Sequence, residues 1–503
     1  MSATPEATAG TRCSAGFIAV DLGSSSGRVM LGVVSGDGRR TCALEQVHRF
    51  ENVPLRGDPD AGGILAWDTT RLFDETLDGL RRAVSIARDG GIPVLGIGVD
   101  AWGVDYGRID RNGDLLPPVK HHRGADPTMP AQSARLVDLE TAYRITGVLD
   151  QAINTAHQLR QDAARNVAIA DSTLLLVPDL WVYWLTGHVA AERTIASTTQ
   201  LLDRDRGTWS EELTRAWGID ITLPPLVNDG HPAGRTLPAV TERIGAESPL
   251  PVFYVAGHDT ASAFAATVGG QNAAIRGIVS SGSWAVAGVS CDQPILTEEA
   301  RLLGFTQELG SGGRTLLVRN LSGMWLLQEC MRAWSGADGS PVDVLRLVDE
   351  AALVEATAVI DVADEALQRP GDLPQRIADL CEAAGHPRPG QRAEVVRVIL
   401  GSLAVAYADT VREAARLVGK GLDGIRIVGG GARNRLLCQL TANAAGQAVE
   451  SGPAEASSLG IVYRLAVATG VCADMDAARA LALVSEDSGG RFTSTASRGK
   501  VGR

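Results

Sequence analysis

No stretch of this chain reaches the ~18 consecutive apolar residues that a membrane-spanning helix requires. The opening, MSATPEATAGTRCSAG, holds no apolar core of signal-peptide length. Basic charge is also short: 47 Lys and Arg face 59 Asp and Glu, a net charge of −12. Phosphate backbones are bound by surplus cations, so a nucleic-acid partner is excluded, while a local basic cleft for a small phosphate is not. Cysteine is sparse, with seven in 503 residues: Cys13, Cys42, Cys291, Cys330, Cys381, Cys438 and Cys472. Their number is odd, their spacing wide, and no C-x-x-C occurs. This excludes a disulfide framework or a zinc knuckle and predicts reduced thiols in a cytoplasm.

What the chain does have is length enough for more than one core. Two stretches are built alike. FIAVDLGSSSGRVMLG (17–32) and IRGIVSSGSWAVAGVS (275–290) each read as strand, small polar turn, strand. They lie roughly 260 residues apart, each opening half of the chain, which suggests a duplicated α/β domain. Residues 94–110 are expected to repeat the strand–turn–strand pattern. A helix is predicted near Thr69 to Arg88, from Leu72, Phe73, Leu77, Leu80, Val84 and Ile86. Residues 135–215 read as mostly helical, with Gly187 as a C-cap. A strand at 251–257 precedes a helix capped by Asp259 or Thr260, and Gly269 to Asn272 mark a boundary. Helices are predicted at 320–334 and 393–417, then a strand, turn and helix over 425–446.

The turn in the first hairpin exposes backbone N–H groups and the hydroxyls of Ser24, Ser25 and Ser26, a run of donors suited to an anion. Arg28 adds positive charge, and Asp21 is placed to hold water on a divalent ion. It is not a P-loop: no Lys follows, and a strand succeeds the turn. One such hairpin alone reads as a simple Ser/Gly turn. Its repetition in Ser280, Ser281, Gly282 and Ser283 suggests one nucleotide held between two domains, with Gly429-Gly430-Gly431 letting backbone approach a flat ligand. Gly96-Ile97-Gly98-Val99-Asp100-Ala101 matches a dinucleotide fingerprint, but no helix follows it. Asp259, at a strand end and a helix start, is placed to take a proton from a substrate hydroxyl, its basicity lowered by the helix N-terminus. His258 reads as a sugar donor or as a core histidine. Trp102 and Gly103 suit a sugar ring, or the core. Asn320 and Gln328, two helical turns apart, read as sugar and nucleotide contacts or as exposed polar residues.

At these residues the chain resembles the FGGY family of carbohydrate kinases. The similar stretches are VDLGSSSGRVML, WDTTRLF, GIGVDAWGVDYG, NTAHQL, VPDLWVYWLTG, TTQLLDRDRGTW, GHDTASAFAA, SSGSWAVAGV, RNLSGMWLLQEC and IVGGGARNRLLCQLTANAAGQAVESGPAEASSLG, in the family's order over roughly 17–465. GHDTAS, NLSGMWLLQEC and GGGARNRLLCQLTANA are most similar to members that phosphorylate L-rhamnulose. The resemblance implies an α/β chain of two ribonuclease-H-like (actin-like ATPase) domains with a central cleft, over 13–268 and 273–490, with flexible tails at 1–12 and 491–503. It implies a soluble cytoplasmic phosphotransferase using ATP and Mg²⁺ and moving the γ-phosphate to the 1-hydroxyl of L-rhamnulose. By position, Asp259 is the implied catalytic base, and Gly103, His258, Asp259, Thr260 and Asn320 the implied sugar contacts. Ser24, Ser25, Ser26, Gly27, Arg28, Ser283, Gln328 and Gly430 are the implied ATP contacts. No residue is assigned as a direct metal ligand.

Three positions depart from the family pattern. The family's aromatic-Arg-Asp group stands here as His121-His122-Arg123-Gly124-Ala125-Asp126, with Arg123 retained. Ser283 replaces a common threonine, and Gly257 a common serine. Two alternatives remain: a kinase of the same family for fuculose, xylulose or glycerol, and an actin- or chaperone-like ATPase that binds protein.

Overall fold

An apolar run covered on both faces makes a central strand, and beyond Ser14 every residue of Ser14–Leu22 is buried. In the computed structural model this strand turns at Gly23–Ser25 and pairs antiparallel with Ser26–Ser35, setting Asp21 opposite Arg28. Ser26–Ser35 pairs antiparallel in turn with Thr41–Glu51. On its other side Ser14–Leu22 runs parallel to Val94–Ala101, setting Asp21 beside Asp100, and Val94–Ala101 runs parallel to Pro251–Phe253. The structure describes residues 14–36, 40–57, 63–165, 167, 169–269, 274–335, 342–355, 358–369, 371–484 and 489–495. Cys13, the expected boundary residues Gly270, Gln271 and Asn272, and the tail positions 1–12 and 496–503 lie outside them.

The second half repeats this order. Ile275–Ser281 pairs antiparallel with Trp284–Cys291, which pairs antiparallel with Thr315–Ser322. Leu422–Val428 runs parallel to Ile275–Ser281, and Val449–Ser451 parallel to Leu422–Val428. Edge strands extend each sheet to seven strands among the described residues. The duplicated hairpins are therefore the nuclei of two equivalent α/β domains. Helices cover the sheets: Thr69–Asp89 and Val177–Thr186 on the first, Arg392–Val418 and Arg435–Ala445 on the second. Thr69–Asp89 starts where Asp68 accepts from the Arg71 N–H and buries Leu72, Leu77, Leu80 and Val84; of the six predicted apolar positions, Ile86 is exposed. Gly187 ends its helix in the left-handed region at φ 78°. Among the described residues no helix is long and apolar enough to cross a membrane.

Four readings are corrected. Residues 94–110 do not form a hairpin: the backbone turns away at Val104, φ 69°, and Tyr106–Ile109 pairs with Thr173–Leu176 in a separate sheet. The stretch 135–215 mixes its helices with short strands at Thr173–Leu176, Ala191–Glu192, Leu202–Asp203 and Thr208–Trp209. Asn320 is not ahead of a helix but on a strand, opposite Val286; the helix begins only at Trp325. Gly323 separates them because a Cβ there would lie 2.6 Å from the Trp284 backbone. The N-cap position of the helix at 259 is His258, not Asp259 or Thr260, and its side chain makes no capping bond.

The C-terminal segment stitches the halves together. Ala456–Ala468 packs Leu459, Ile461, Val462 and Leu465 against Phe17, Ala19 and Met30 of the first sheet. Gly98 faces this helix, where a Cβ would meet Ile461 at 2.9 Å and Val255 at 2.7 Å. Close packing, not a dinucleotide, thus accounts for the glycines of the Gly96 motif. Ala482–Val484 then joins the first sheet beside Thr41–Ala43. Arg491–Phe492, read from sequence as tail, pairs with Val449 and Glu450.

A tight backbone approach is the crossing of Ala456–Ala468 over Asp259–Thr267, where a Cβ on Gly460 would lie 2.0 Å from the Ser262 carbonyl oxygen. Gly460→Ala is expected to cost about 1–3 kcal/mol by overpacking, read as a lower denaturant midpoint with unchanged slope. An unchanged midpoint would mean the crossing adjusts freely.

Candidate active site in the inter-domain cleft

The two hairpin turns and the glycine triplet face one another across a cleft of about 1140 Å³. Ser24, Ser25, Ser26 and Arg28 line one side, and Ser280, Gly282, Ser283, Gln328 and Gly430 the other. Gly103, His258, Asp259, Thr260 and Asn320 line the same cleft. Besides Ser281, Gly27 is the residue expected in the site that does not line it. Its missing side chain is needed by the Phe50 ring, which a Cβ would approach to 2.3 Å.

The first turn is held by backbone bonds from Gly23 N–H to the Ser26 carbonyl and from Asn52 N–H to the Ser25 carbonyl, both 3.1 Å. On the second, Ser283 Oγ donates to Gln328 Oε1 at 3.4 Å. Ser281 points the other way, buried against the Tyr407 hydroxyl at 3.2 Å. A Cβ on Gly430 would meet nothing within 4 Å, so the backbone there is open to a flat ligand.

Arg28 does not face the cleft as a free cation. Its Nε lies 3.5 Å from Asp21 Oδ2 and its Nη1 pairs with Glu455. Asp21, then Glu455 and Asp100, hold its pKa above the ordinary guanidinium value against the opposing effect of burial. Asp21 Oδ2 also accepts from the Ser458 hydroxyl at 3.0 Å. Asp100 is fully buried, and neither carboxylate oxygen has a hydrogen-bond partner. Burial first, then Asp21 and Asp259, raise its pKa well above the carboxylate range.

Asp259 occupies the first turn of its helix. Its Oδ1 accepts from the Thr260 N–H at 2.6 Å and the Thr260 hydroxyl at 3.3 Å, and 31% of its side chain is exposed, toward the cleft. Burial and the nearby Asp21 outweigh His258 and the helix N–H, so its pKa is raised rather than lowered as the helix terminus alone predicts. His258 Nε2 lies 3.5 Å from Asp259 Oδ1, and its Nδ1 lies 2.9 Å from Glu308 Oε2. Glu308 comes from the second sheet, on Thr306–Leu309, so the pair spans the domains. Burial opposes the charge on His258, but Glu308, Asp259 and Glu192 lift its pKa to about 9.

Sequence reasoning missed Glu308, Glu455 and the residues behind Trp102. Only an acid inside the short run FTQEL marked Glu308. Trp102 is mostly core, 6% exposed, with its indole N–H bonded to Asp105 Oδ2 at 2.9 Å. Val104, a β-branched residue at positive φ, sits on the cleft wall. Such strain costs about 1–3 kcal/mol and is held by the Thr155 hydroxyl on its carbonyl at 2.7 Å and the Thr198 hydroxyl on its N–H at 3.2 Å.

This geometry coincides with a family relationship. Residues 17–266 match the model of the N-terminal domain, and 277–469 that of the C-terminal domain, of the FGGY family of carbohydrate kinases. Curated relatives named rhamnulokinase include one from Bacteroides thetaiotaomicron, 35% identical over 92% of this chain and 93% of its own length. Another, from Enterococcus faecalis, is 34% identical over 92% and 91%. Solved structures share the fold: a xylulose kinase from Rhodospirillum rubrum, 17% identical with a TM-score of 0.72, covers 96% of this chain and 94% of its own. A Plasmodium falciparum glycerol kinase with ADP, 14% identical with a TM-score of 0.72, covers 95% and 94%. The chain thus belongs to the FGGY family of carbohydrate kinases, phosphotransferases with an alcohol group as acceptor, on two actin-like α/β domains.

Proposed function

We propose that the chain transfers the γ-phosphate of ATP to the 1-hydroxyl of L-rhamnulose, with Asp259 as the base. The observation that carries this reading is the Asp259 carboxylate, raised in pKa and facing the cleft between two Ser/Gly turns. The names of the 34–35% identical relatives support the choice of ketose. Six buried free cysteines fit a reducing, cytoplasmic setting.

The residues divide the work. Backbone N–H groups and hydroxyls of Ser24, Ser25, Ser26 and Ser283 bind phosphate oxygens. Gly430 leaves room for the nucleoside. Gly103, His258, Thr260 and Asn320 orient the ketose, and Asp259 takes the proton of the attacking hydroxyl. Phosphoryl transfer depends mainly on alignment and charge stabilisation, so holding hydroxyl and phosphate together is the larger part of catalysis. The cleft fits a divalent cation, because the Asp21 carboxylate lines it and Asp259 faces it. Asp21, on the cleft wall, would hold it through water; Mg²⁺ bound there supplies charge neutralisation to the transferring phosphoryl group.

ADP release should depend on L-rhamnulose when L-rhamnulose, L-fuculose, D-xylulose, L-ribulose and glycerol are tested singly with ATP and Mg²⁺. A response to another acceptor moves the substrate; release indifferent to all of them overturns the kinase reading for a protein-binding ATPase. Asp259→Asn should lower kcat by about 10²–10⁴-fold with ATP binding retained; near wild-type turnover would remove Asp259 as base. For His258, a folded pKa of about 9 lies above the unfolded value of 6.5. Its pairing therefore stabilises fully below pH 6.5 and is lost as pH rises through about 9. The difference in thermal midpoint between wild type and Glu308→Gln should shrink across that window. A difference that grows with pH would contradict the pair.

A further inference from the structure

The stretch that departs from the family pattern contributes His122 and Arg123 to the cleft wall and is held by several hydrogen bonds. His121 N–H donates to the Leu65 carbonyl at 3.0 Å, and Trp67 N–H to the Val119 carbonyl at 2.8 Å. Lys120 pairs with the buried Asp162. Behind this loop sits Asp105, 0% exposed. Its Oδ2 accepts from Trp67 Nε1 at 2.7 Å, Trp102 Nε1 at 2.9 Å and His122 Nδ1 at 2.8 Å. Its Oδ1 accepts from Gln158 Nε2 at 3.3 Å. Burial would raise the Asp105 pKa, but His122 and the two indoles lower it below the ordinary range, so the carboxylate is ionised.

Asp105, His121 and His122 stand close enough to hold a metal ion, but the donors are used. Asp105 Oδ2 already takes three N–H groups. His121 Nδ1 accepts from the Arg123 N–H at 3.0 Å, its ring stacks on Trp67 at 4.1 Å, and burial keeps it neutral, with a pKa of about 4.

His122 is different. Its side chain is 18% exposed, and it lines the cleft with Trp102, Gly103 and Val104. With Nδ1 engaged by the Asp105 carboxylate, Nε2 is the ring nitrogen left to carry a lone pair for another partner. We propose that His122 is a specificity-determining residue, whose Nε2 accepts a hydrogen bond from one hydroxyl of the bound ketose, and that Asp105 positions it. This rests on the sugar-kinase reading. The indoles sharing Asp105 keep the ring from turning, so a sugar lacking that hydroxyl leaves a desolvated lone pair unpaired, a discrimination that apolar contacts do not give.

The test uses the full chain and His122→Asn, which keeps an N–H donor for Asp105 but lacks the acceptor facing the cleft. The sugar is whichever ketose the wild type phosphorylates, with analogues each lacking one hydroxyl. In the variant, sugar KM should rise about ten- to hundredfold, ATP KM should stay within about twofold, and the penalty for one particular deoxy analogue should vanish. His122→Gln, which can carry an oxygen near the Nε2 position, should restore part of the affinity. Asp105→Asn should reproduce the KM change and the altered analogue pattern if it folds; His122→Asn decides the matter if it does not. Unchanged sugar KM and an unchanged analogue pattern in His122→Asn would overturn the proposal while leaving the kinase reading intact. Wild type that phosphorylates no ketose would overturn both.

Discussion

Burying a carboxylate costs several kcal/mol unless a partner offsets it, and among the described residues four acids line the cleft: Asp21, Asp259, Glu308 and Glu455. Two cations answer them. Arg28 bridges Asp21 to Glu455, from the segment that leads into Ala456–Ala468. His258 bridges Asp259 to Glu308 on the second sheet. Each pair joins a residue of the first half of the chain to one of the second. The mutual placement of the two Ser/Gly turns and Asp259 therefore depends on charge pairs as well as on packing. Disturbing either pair leaves an acid unpaired in a place water reaches poorly.

Packing supplies what the ion pairs do not. The helix Ala456–Ala468 lies against the first sheet although it belongs to the second half of the sequence. Gly98 and Gly460 are small where it passes, the one for Ile461 and the other for the Ser262 backbone. The two domains thus share an apolar seam behind the cleft, and the polar face opens in front of it.

What the sequence made legible was local. The hairpins, the helix near 69–88, the cap at Gly187 and the Ser/Gly donors all follow from residues near one another in the chain, where turn chemistry and periodicity act directly. What it hid depends on distant partners. Tyr106–Ile109 leaves its expected partner because Val104 adopts a positive φ, held by Thr155 and Thr198 from elsewhere. Asn320 is a strand residue because Trp284–Cys291 pairs along its whole length. Why position 27 must be glycine is seen only with Phe50, whose ring fills the space a side chain would take. Glu308 stands outside every motif, and Asp105 sits inside GIGVDAWGVDYG with no role marked; their meaning lies in His258 and His122, which fold beside them.

The same balance decides how the cleft meets its anionic substrate. An acid at a helix N-terminus should be a weak base, since the terminal N–H groups favour its charge. Around Asp259 that effect is present, in the bond from the Thr260 N–H, yet burial and Asp21 exceed it. The carboxyl is a stronger base than its helix position implies. The same acids work against the phosphates of a nucleotide. Arg28 cannot compensate, because two carboxylates already hold it. Attraction must come from the backbone donors of the two turns and from whatever cation accompanies the nucleotide. Under the proposed function the protein would supply the base, and the counter-charge would arrive with the nucleotide and its cation.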